Sequence, residues 1–328
     1  MIKIGLFGAG HLGKIHLRLL KEIPHFDVIG FYDIDPRVAA NVAREFNIKA
    51  YNDPDLLLSE SEAIDIVTPT LSHYPLAAKA IGMQKHTFIE KPLVPTREES
   101  LSLLEIAERS RAVVQIGYVE RFNPAFRAAQ PYIKNPLFIE SHRIAEFNQR
   151  GTDVPVVLDL MIHDLDIILH LVNSPVKTIS ATGVPVISGT PDMANARIEF
   201  ENGCVADMTA SRIALRKSRK LKLFQRDSYI SIDLLHKQVE VYHLTDHTES
   251  GHPLALVIGS PGGVQKQILI ERPEVLETNA IKLELEGFAR AIQENVPPPV
   301  TITDGHQSME IAFRILDQIK NKSDLLMA

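Results

Sequence analysis

An α/β fold, a doubly wound parallel sheet followed by a second domain, is what the sequence predicts, on three observations. A glycine-rich turn, Gly8–Gly13, follows directly on a buried-strand pattern and opens a helical one. Strand and helix patterns then alternate as far as Gly117, as they do where helices cover both faces of a parallel sheet. The chain has 328 residues, more than one hydrophobic core usually serves, so two domains are expected. We divide them as 1–120 and 121–328.

Ile2–Phe7 alternates too little for a half-exposed strand and reads as a buried parallel one. Gly8-Ala9-Gly10-His11-Leu12-Gly13 is then G-x-G-x-x-G in the strand–turn–helix setting of a Rossmann dinucleotide site. Its glycines let the backbone approach a pyrophosphate. The helix opening at His11, Leu12 and Gly13 offers unpaired N–H groups and a positive dipole end.

The second strand, Asp27–Tyr32, closes on Asp33-Ile34-Asp35-Pro36. Asp35 before Pro36 has the chemistry of a helix N-cap with proline at the first helical position. That leaves Asp33, about 20 residues past Gly13, to hydrogen-bond the ribose 2′-hydroxyl. A carboxylate there repels a 2′-phosphate, so NAD is expected over NADP, with Arg37 tempering the preference.

Ala63–Thr68 and His86–Glu90 continue the strands, and Val113–Gly117 is numbered as a sixth. Helices run from near Ser72 and from a capping box at Thr96–Glu99 to Ser110. Thr68, Pro69 and His73 are expected beside the nicotinamide, although a loop with proline is also a common connector. Glu90-Lys91-Pro92 leaves the fifth strand of that count. A lysine delivered to a cofactor edge can polarise a carbonyl or stabilise an alkoxide. The plain alternative is a surface lysine that precedes proline.

The most informative run is Val156–Val172, VVLDLMIHDLDIILHLV. As a helix it is apolar nearly all round, yet Asp159, His163, Asp166 and His170 fall in a stripe about 60° wide at roughly 100° per residue. So apolar a helix is normally buried, and buried carboxylates are costly unless paired. The stripe is therefore expected to face a cleft and hold a base. An ordinary wet face is the competing reading. A metal shared by His and Asp is a third, but no motif supplies further ligands, so no metal is expected.

Net charge of −6 disfavours sequence-independent nucleic-acid binding, and no run is long enough to span a bilayer. The single cysteine, Cys204, fits a reducing cytoplasm and sits in a strand-like setting suited to packing. No signal peptide is evident at the amino end.

In chain order, G-x-G-x-x-G at Gly8–Gly13, E-K-P at Glu90–Pro92 and D-x-x-x-H at Asp159–His163 resemble the glucose-fructose oxidoreductase/inositol dehydrogenase (Gfo/Idh/MocA) family over essentially the full length. The resemblance implies hydride transfer between a sugar hydroxyl and nicotinamide. It implies that Lys91 contacts substrate and nicotinamide, that His163 is the acid/base and that Asp159 stands beside it. Glu90 and Lys91 thereby join Gly8, Gly10, His11, Leu12, Gly13, Asp33, Thr68, Pro69 and His73 as the expected cofactor-binding set. Many members have glycines ahead of that aspartate, where this chain has Val154-Pro155-Val156-Val157.

The resemblance also implies a C-terminal α+β domain with a large, mostly antiparallel sheet, one face of which commonly makes a homodimer or homotetramer. Strand patterns at 138–147, 176–186, 195–200, 204–212, 220–224, 229–233 and 238–243 agree. Helical patterns follow the crossover at 124–133 and close the chain at 282–294 and 305–320. The stretch 244–267 gives no element.

Arg212, Arg216, Lys217, Arg219, Lys220 and Lys222 form a basic run in an acidic protein. They are read either as a diphosphate site or as solvated charge, Lys220 and Lys222 being the wet face of a strand. GYVERFNP and DLMIHDLD resemble a narrower branch of the family, nucleotide-sugar 3-dehydrogenases acting on UDP-N-acetylglucosamine or its uronic acid. The expected substrate-binding set is Tyr118, Arg121, Asn123, Asp159, His163, Arg212 and Arg216. Two other readings are a dehydrogenase or reductase of a free polyol or cyclic ketone, and a cofactor-binding sensor without turnover.

Overall fold

The computed structural model describes residues 1–147, 154–245, 255–259 and 265–327. The chain forms two compact units, Met1–Val119 with Asn279–Glu310, and Glu120–Thr278 with Ile311–Ala328.

The first unit begins β1 (Ile2–Phe7), α1 (His11–Glu22), β2 (Phe26–Tyr32), α2 (Pro36–Phe46), α3 (Pro54–Glu60) and β3 (Ala63–Ile66). It continues α4 (His73–Gly82), β4 (His86–Glu90), α5 (Arg97–Glu108) and β5 (Val114–Gly117). All five strands are parallel, in the order β2-β1-β3-β4-β5. The order turns back between β1 and β3, and ligands of such sheets bind outside the strand ends at that point.

The count of six strands is corrected to five. Between α2 and β3 the chain adds only an isolated bridge, Phe31 to Ala50, and the helix α3. Asp53 caps α3 with Pro54 in its first turn, the same grammar as Asp35 and Pro36 on α2, where the Arg37 N–H donates to Asp35 Oδ1 at 2.8 Å.

The second unit holds α6 (Pro124–Ala129), β6 (Phe138–Glu146), a π-helical turn (Val157–Met161) and α7 (Ile162–Val172). Then come β7 (Val176–Val184), β8 (Met193–Phe200), β9 (Val205–Ala214), β10 (Ser218–Phe224), β11 (Ser228–Asp233) and β12 (Gln238–Thr245). β13 (Ala255–Gly259) and β14 (Gln265–Glu271) lie within and just past the stretch that gave no element. Among the described residues the sheet has nine strands in the order β13-β14-β12-β11-β10-β6-β9-β8-β7. Among its described strands, only β6 and β9 pair in parallel.

Alternation sorts each strand into a buried and an open face. On β10, Leu221 and Leu223 are buried while Lys220 and Lys222 point out, so those two lysines are indeed the wet side of a strand.

The chain ends with α8 (Ala280–Glu294) and α9 (Ile302–Met327). α8 does not belong with the residues that precede it. Its Leu285, Phe288 and Ala289 complete a core with Leu17, Leu20, Phe31 and Phe88 of the first unit. The Phe288 ring lies 5.9 Å from Phe88 and 6.3 Å from Phe26. A division at residue 120 misses this return because α8 is amphipathic and its sequence does not say which core it covers.

Candidate active site

A cavity of about 860 Å³ opens at the carboxyl ends of β1 and β3. Gly8, Gly10, His11, Leu12, Asp33, Thr68 and Pro69 all line it. Gly8 has φ +92°, and a Cβ there would stand 2.7 Å from Val67 O. Gly13 lies under the turn, where a Cβ would come within 1.9 Å of Gly8 O. At Gly10 nothing lies within 4 Å, so its bare backbone meets open space. α1 starts without a side-chain cap, leaving N–H groups at its amino end for an anion. These features fit a dinucleotide: tight where the turn packs, open where a pyrophosphate would approach.

Asp33 is tied to the same turn. Its Oδ2 accepts the Ala9 N–H at 2.7 Å and its Oδ1 the Asp35 N–H at 2.9 Å. The carboxylate is thus oriented by the backbone of the turn and of the residues that follow β2.

Three residues of the expected cofactor set stand elsewhere. His73 is buried, with Nδ1 3.0 Å from Pro92 O and Nε2 2.8 Å from Thr68 O. It braces the Thr68 loop against the corner after β4 and does not line the cavity, because the first turn of α4 points it inward. Burial holds its ring toward the neutral form. Glu90 and Lys91 also lie outside the cavity lining, at that corner. Glu90 is buried and Lys91 half-buried.

Beneath the corner lies a cluster that the sequence reading passed over. His16 of α1, Asp65 of β3 and Glu90 meet with Nδ1 to Asp65 Oδ2 at 2.9 Å and Nε2 to Glu90 Oε1 at 3.3 Å. A signal existed: an aspartate inside the otherwise apolar AIDIV run needs a buried partner.

In the second unit, the expected single helix starts as a π-turn carrying Asp159 and becomes α-helical just before His163. Such turns concentrate at functional sites. Both side chains are half-buried. The lower part of the stripe does a different job. Asp166 is fully buried and takes the Arg121 guanidinium at both oxygens, 2.6 and 2.7 Å, while Arg121 Nη1 donates to His170 Nδ1 at 3.3 Å.

Asp164 adds a second anchor. It accepts from Ser141 Oγ at 2.7 Å and from Arg143 Nε at 3.0 Å, and Arg143 Nη1 reaches Glu120 Oε1 at 2.8 Å. Burial opposes charge on both Arg143 and Glu120, but the ion pairs prevail, keeping the arginine charged and the Glu120 carboxyl below its usual range.

Four members of the expected substrate-binding set are buried and three of these have partners within the protein. Arg121 is committed to Asp166. Arg212 is buried, donating to Asp192 Oδ1 at 2.8 Å, Val154 O at 2.6 Å, and Ser188 Oγ and Thr190 Oγ1 at 2.9 Å each. Asn123 caps α6 through Ala125 N–H at 3.0 Å and donates to Glu120 and Leu234 O. The Tyr118 ring is fully buried. The two arginines are held by acids distant in the chain, which the sequence does not reveal. Asp159, His163 and the exposed Arg216 keep surface to offer.

Among the described residues no three His, Cys, Asp or Glu side chains converge as a metal site, and no helix is long and apolar enough to cross a membrane.

Residues 2–118 match a family described as an oxidoreductase family with an NAD-binding Rossmann fold, and residues 115–230 match the GFO/IDH/MocA C-terminal domain. A UDP-N-acetylglucosamine 3-dehydrogenase from Acidithiobacillus ferrooxidans is 33% identical over 297 residues, covering 90% of each chain. A solved structure of an enzyme of that name from the same organism superposes with a TM-score of 0.88 at 31% identity, over 98% of each chain. A scyllo-inositol 2-dehydrogenase from Bacillus subtilis is 25% identical over 342 residues, 98% of this chain and 94% of that one.

Proposed function

The chain belongs to the GFO/IDH/MocA oxidoreductase family, and from that premise we propose that it is an NAD-dependent dehydrogenase of a nucleotide sugar, oxidising C3 of UDP-N-acetylglucosamine. The observation that carries the substrate is the likeness, over nine-tenths of both chains, to a relative of that name. When bound, the nicotinamide supplies the hydride acceptor. The rest falls to this chain's residues. His163 as neutral imidazole takes the hydroxyl proton, and as imidazolium returns it in the reductive direction. Asp159, one turn earlier, orients that ring. Lys91 stabilises negative charge on the oxygen as the carbonyl forms. Asp33 selects NAD over NADP, and Arg216 is the arginine we assign to the diphosphate.

NADH formation with UDP-N-acetylglucosamine, compared with inositols and free hexoses, tests the substrate. We expect the nucleotide sugar to lead by roughly 10²-fold in kcat/KM, the scale of a few charge-assisted contacts. His163→Ala and Lys91→Ala should each lower kcat by about 10²–10⁴-fold, the usual worth of acid/base groups, with NADH affinity nearly intact. Wild-type turnover in both variants overturns these roles.

One observation favours a second reading. With Arg212 held by Asp192 at 2.8 Å, the basic run has lost a phosphate ligand, and a free cyclic polyol needs none. Inositol outpacing the nucleotide sugar in the same assay establishes that reading. We place the enzyme in the cytoplasm as a homodimer or homotetramer; light scattering showing a monomer removes the assembly.

A further inference from the structure

The E-K-P corner rests on a buried charge cluster that the reaction, as proposed, leaves unused. His16, Asp65 and Glu90 are 0%, 0% and 8% exposed. The ring of His16 stands between the two acids, with one nitrogen toward each, at 2.9 and 3.3 Å. Burial disfavours charge on the ring, but the two carboxylates outweigh it and push its pKa up to about 10. Burial also pushes the Asp65 carboxyl up, and the ring pulls it back. We take the imidazolium as the state, since Nδ1 is hydrogen-bonded to one carboxylate and Nε2 stands at ion-pair distance from the other.

Glu90 carries the contact outward. Its Oε2 accepts the N–H of Lys91 at 3.1 Å. On its other side, a Cβ at Gly117 would lie 3.0 Å from Glu90 Cδ and Oε1, so glycine lets the carboxylate sit there without being pushed aside. The acid is held by the ring, by the glycine and by the backbone of the next residue. A core at this depth gains little from charge, because apolar side chains of like volume serve as well or better. What apolar residues cannot do is fix the N–H of Lys91.

We propose that His16 is a positioning residue for Lys91, acting through Glu90 to set the backbone from which the lysine amine is presented. The inference rests on the role given to Lys91 above. His73, bonded to Pro92 O on the far side of the same corner at 3.0 Å, completes the bracing.

The test uses His16→Gln/Asp65→Asn, which removes the ring's charge together with the Asp65 carboxylate and leaves Glu90 with the Lys91 N–H. A second variant, Glu90→Ala, keeps the His16–Asp65 pair and removes the carboxylate that joins the ring to the Lys91 N–H. Three quantities are read in protein shown folded by circular dichroism. They are the acetylation rate of the Lys91 amine without cofactor, by mass spectrometry; NADH affinity by fluorescence; and kcat with UDP-N-acetylglucosamine. Displacement of a catalytic group by about 1 Å costs as much as 10²-fold. We expect kcat to fall at least roughly tenfold in both variants, with Lys91 labelling changed at least about threefold and NADH affinity within about threefold.

Labelling and kcat both within about twofold of wild type in either folded variant overturn the proposal. Lys91→Ala separates the two ideas. If it turns over like wild type, the catalytic role of Lys91 fails, while the labelling rate still decides whether His16 sets its placement.

Discussion

His16 carries a proton that an apolar core would strip away, and that makes it measurable. Its pKa lies at about 10 in the fold against 6.5 for a free ring. A group whose pKa is raised by folding contributes all of its stabilisation below the unfolded value and loses it as pH climbs through the folded one. The unfolding temperature should therefore decline between about pH 7 and 10 more steeply in the wild type than in His16→Gln/Asp65→Asn. Parallel curves from calorimetry would remove the imidazolium. Asp33 gives a second prediction at this scale. If Asp33 binds the ribose as proposed, its replacement by Ser deletes a charge-assisted bond worth about 1.5–3 kcal/mol, so KM for NAD should rise roughly 10- to 10²-fold while NADP gains. Unchanged cofactor preference in steady-state kinetics would clear Asp33 of that role.

At the scale of elements, α7 shows how the helix that carries His163 is held. Its apolar surface, Leu165, Ile167 and Ile168, is buried, and below His163 it is pinned by the Arg121–Asp166 and Arg143–Asp164 pairs. Removing one partner leaves the other charge buried and alone, which costs about 3–5 kcal/mol. Arg143→Ala is expected to lose that much in urea unfolding. A loss under about 1 kcal/mol would make the pair incidental.

The sequence made α7, its stripe and the glycine turn legible because each follows from local periodicity or from a turn's steric demand. It hid the division of labour inside the stripe. Asp159 and Asp166 have the same residue type and lie on the same side, yet the latter meets Arg121, whose position comes from another part of the chain. The π-turn left no mark in VVLDLM, and β13 and β14 were masked by the His, Gly and Pro around them. The ion pair of Arg212 was hidden for the same reason as that of Arg121, since its partners Asp192 and Val154 come together only in the fold.

For the molecule as a whole, the return of α8 matters most. The parallel sheet is continuous in sequence, but its core is not. Phe288, fully buried, closes the space beside Phe26 and Phe88 that the first 119 residues would leave open to water. Deleting such a ring costs about 3–5 kcal/mol, a large part of the roughly 5–15 kcal/mol that holds a domain together. Residues 1–119 alone should therefore bind hydrophobic dye, show little cooperative unfolding and fail to bind NADH. Supplying a peptide of residues 279–310 should restore both cooperativity and binding, because Leu285, Phe288 and Ala289 then refill the core. Phe288→Ala in that peptide should abolish the rescue. A fragment 1–119 that unfolds cooperatively and binds NADH unaided would show that the first core is complete without α8, and the division at residue 120 would stand.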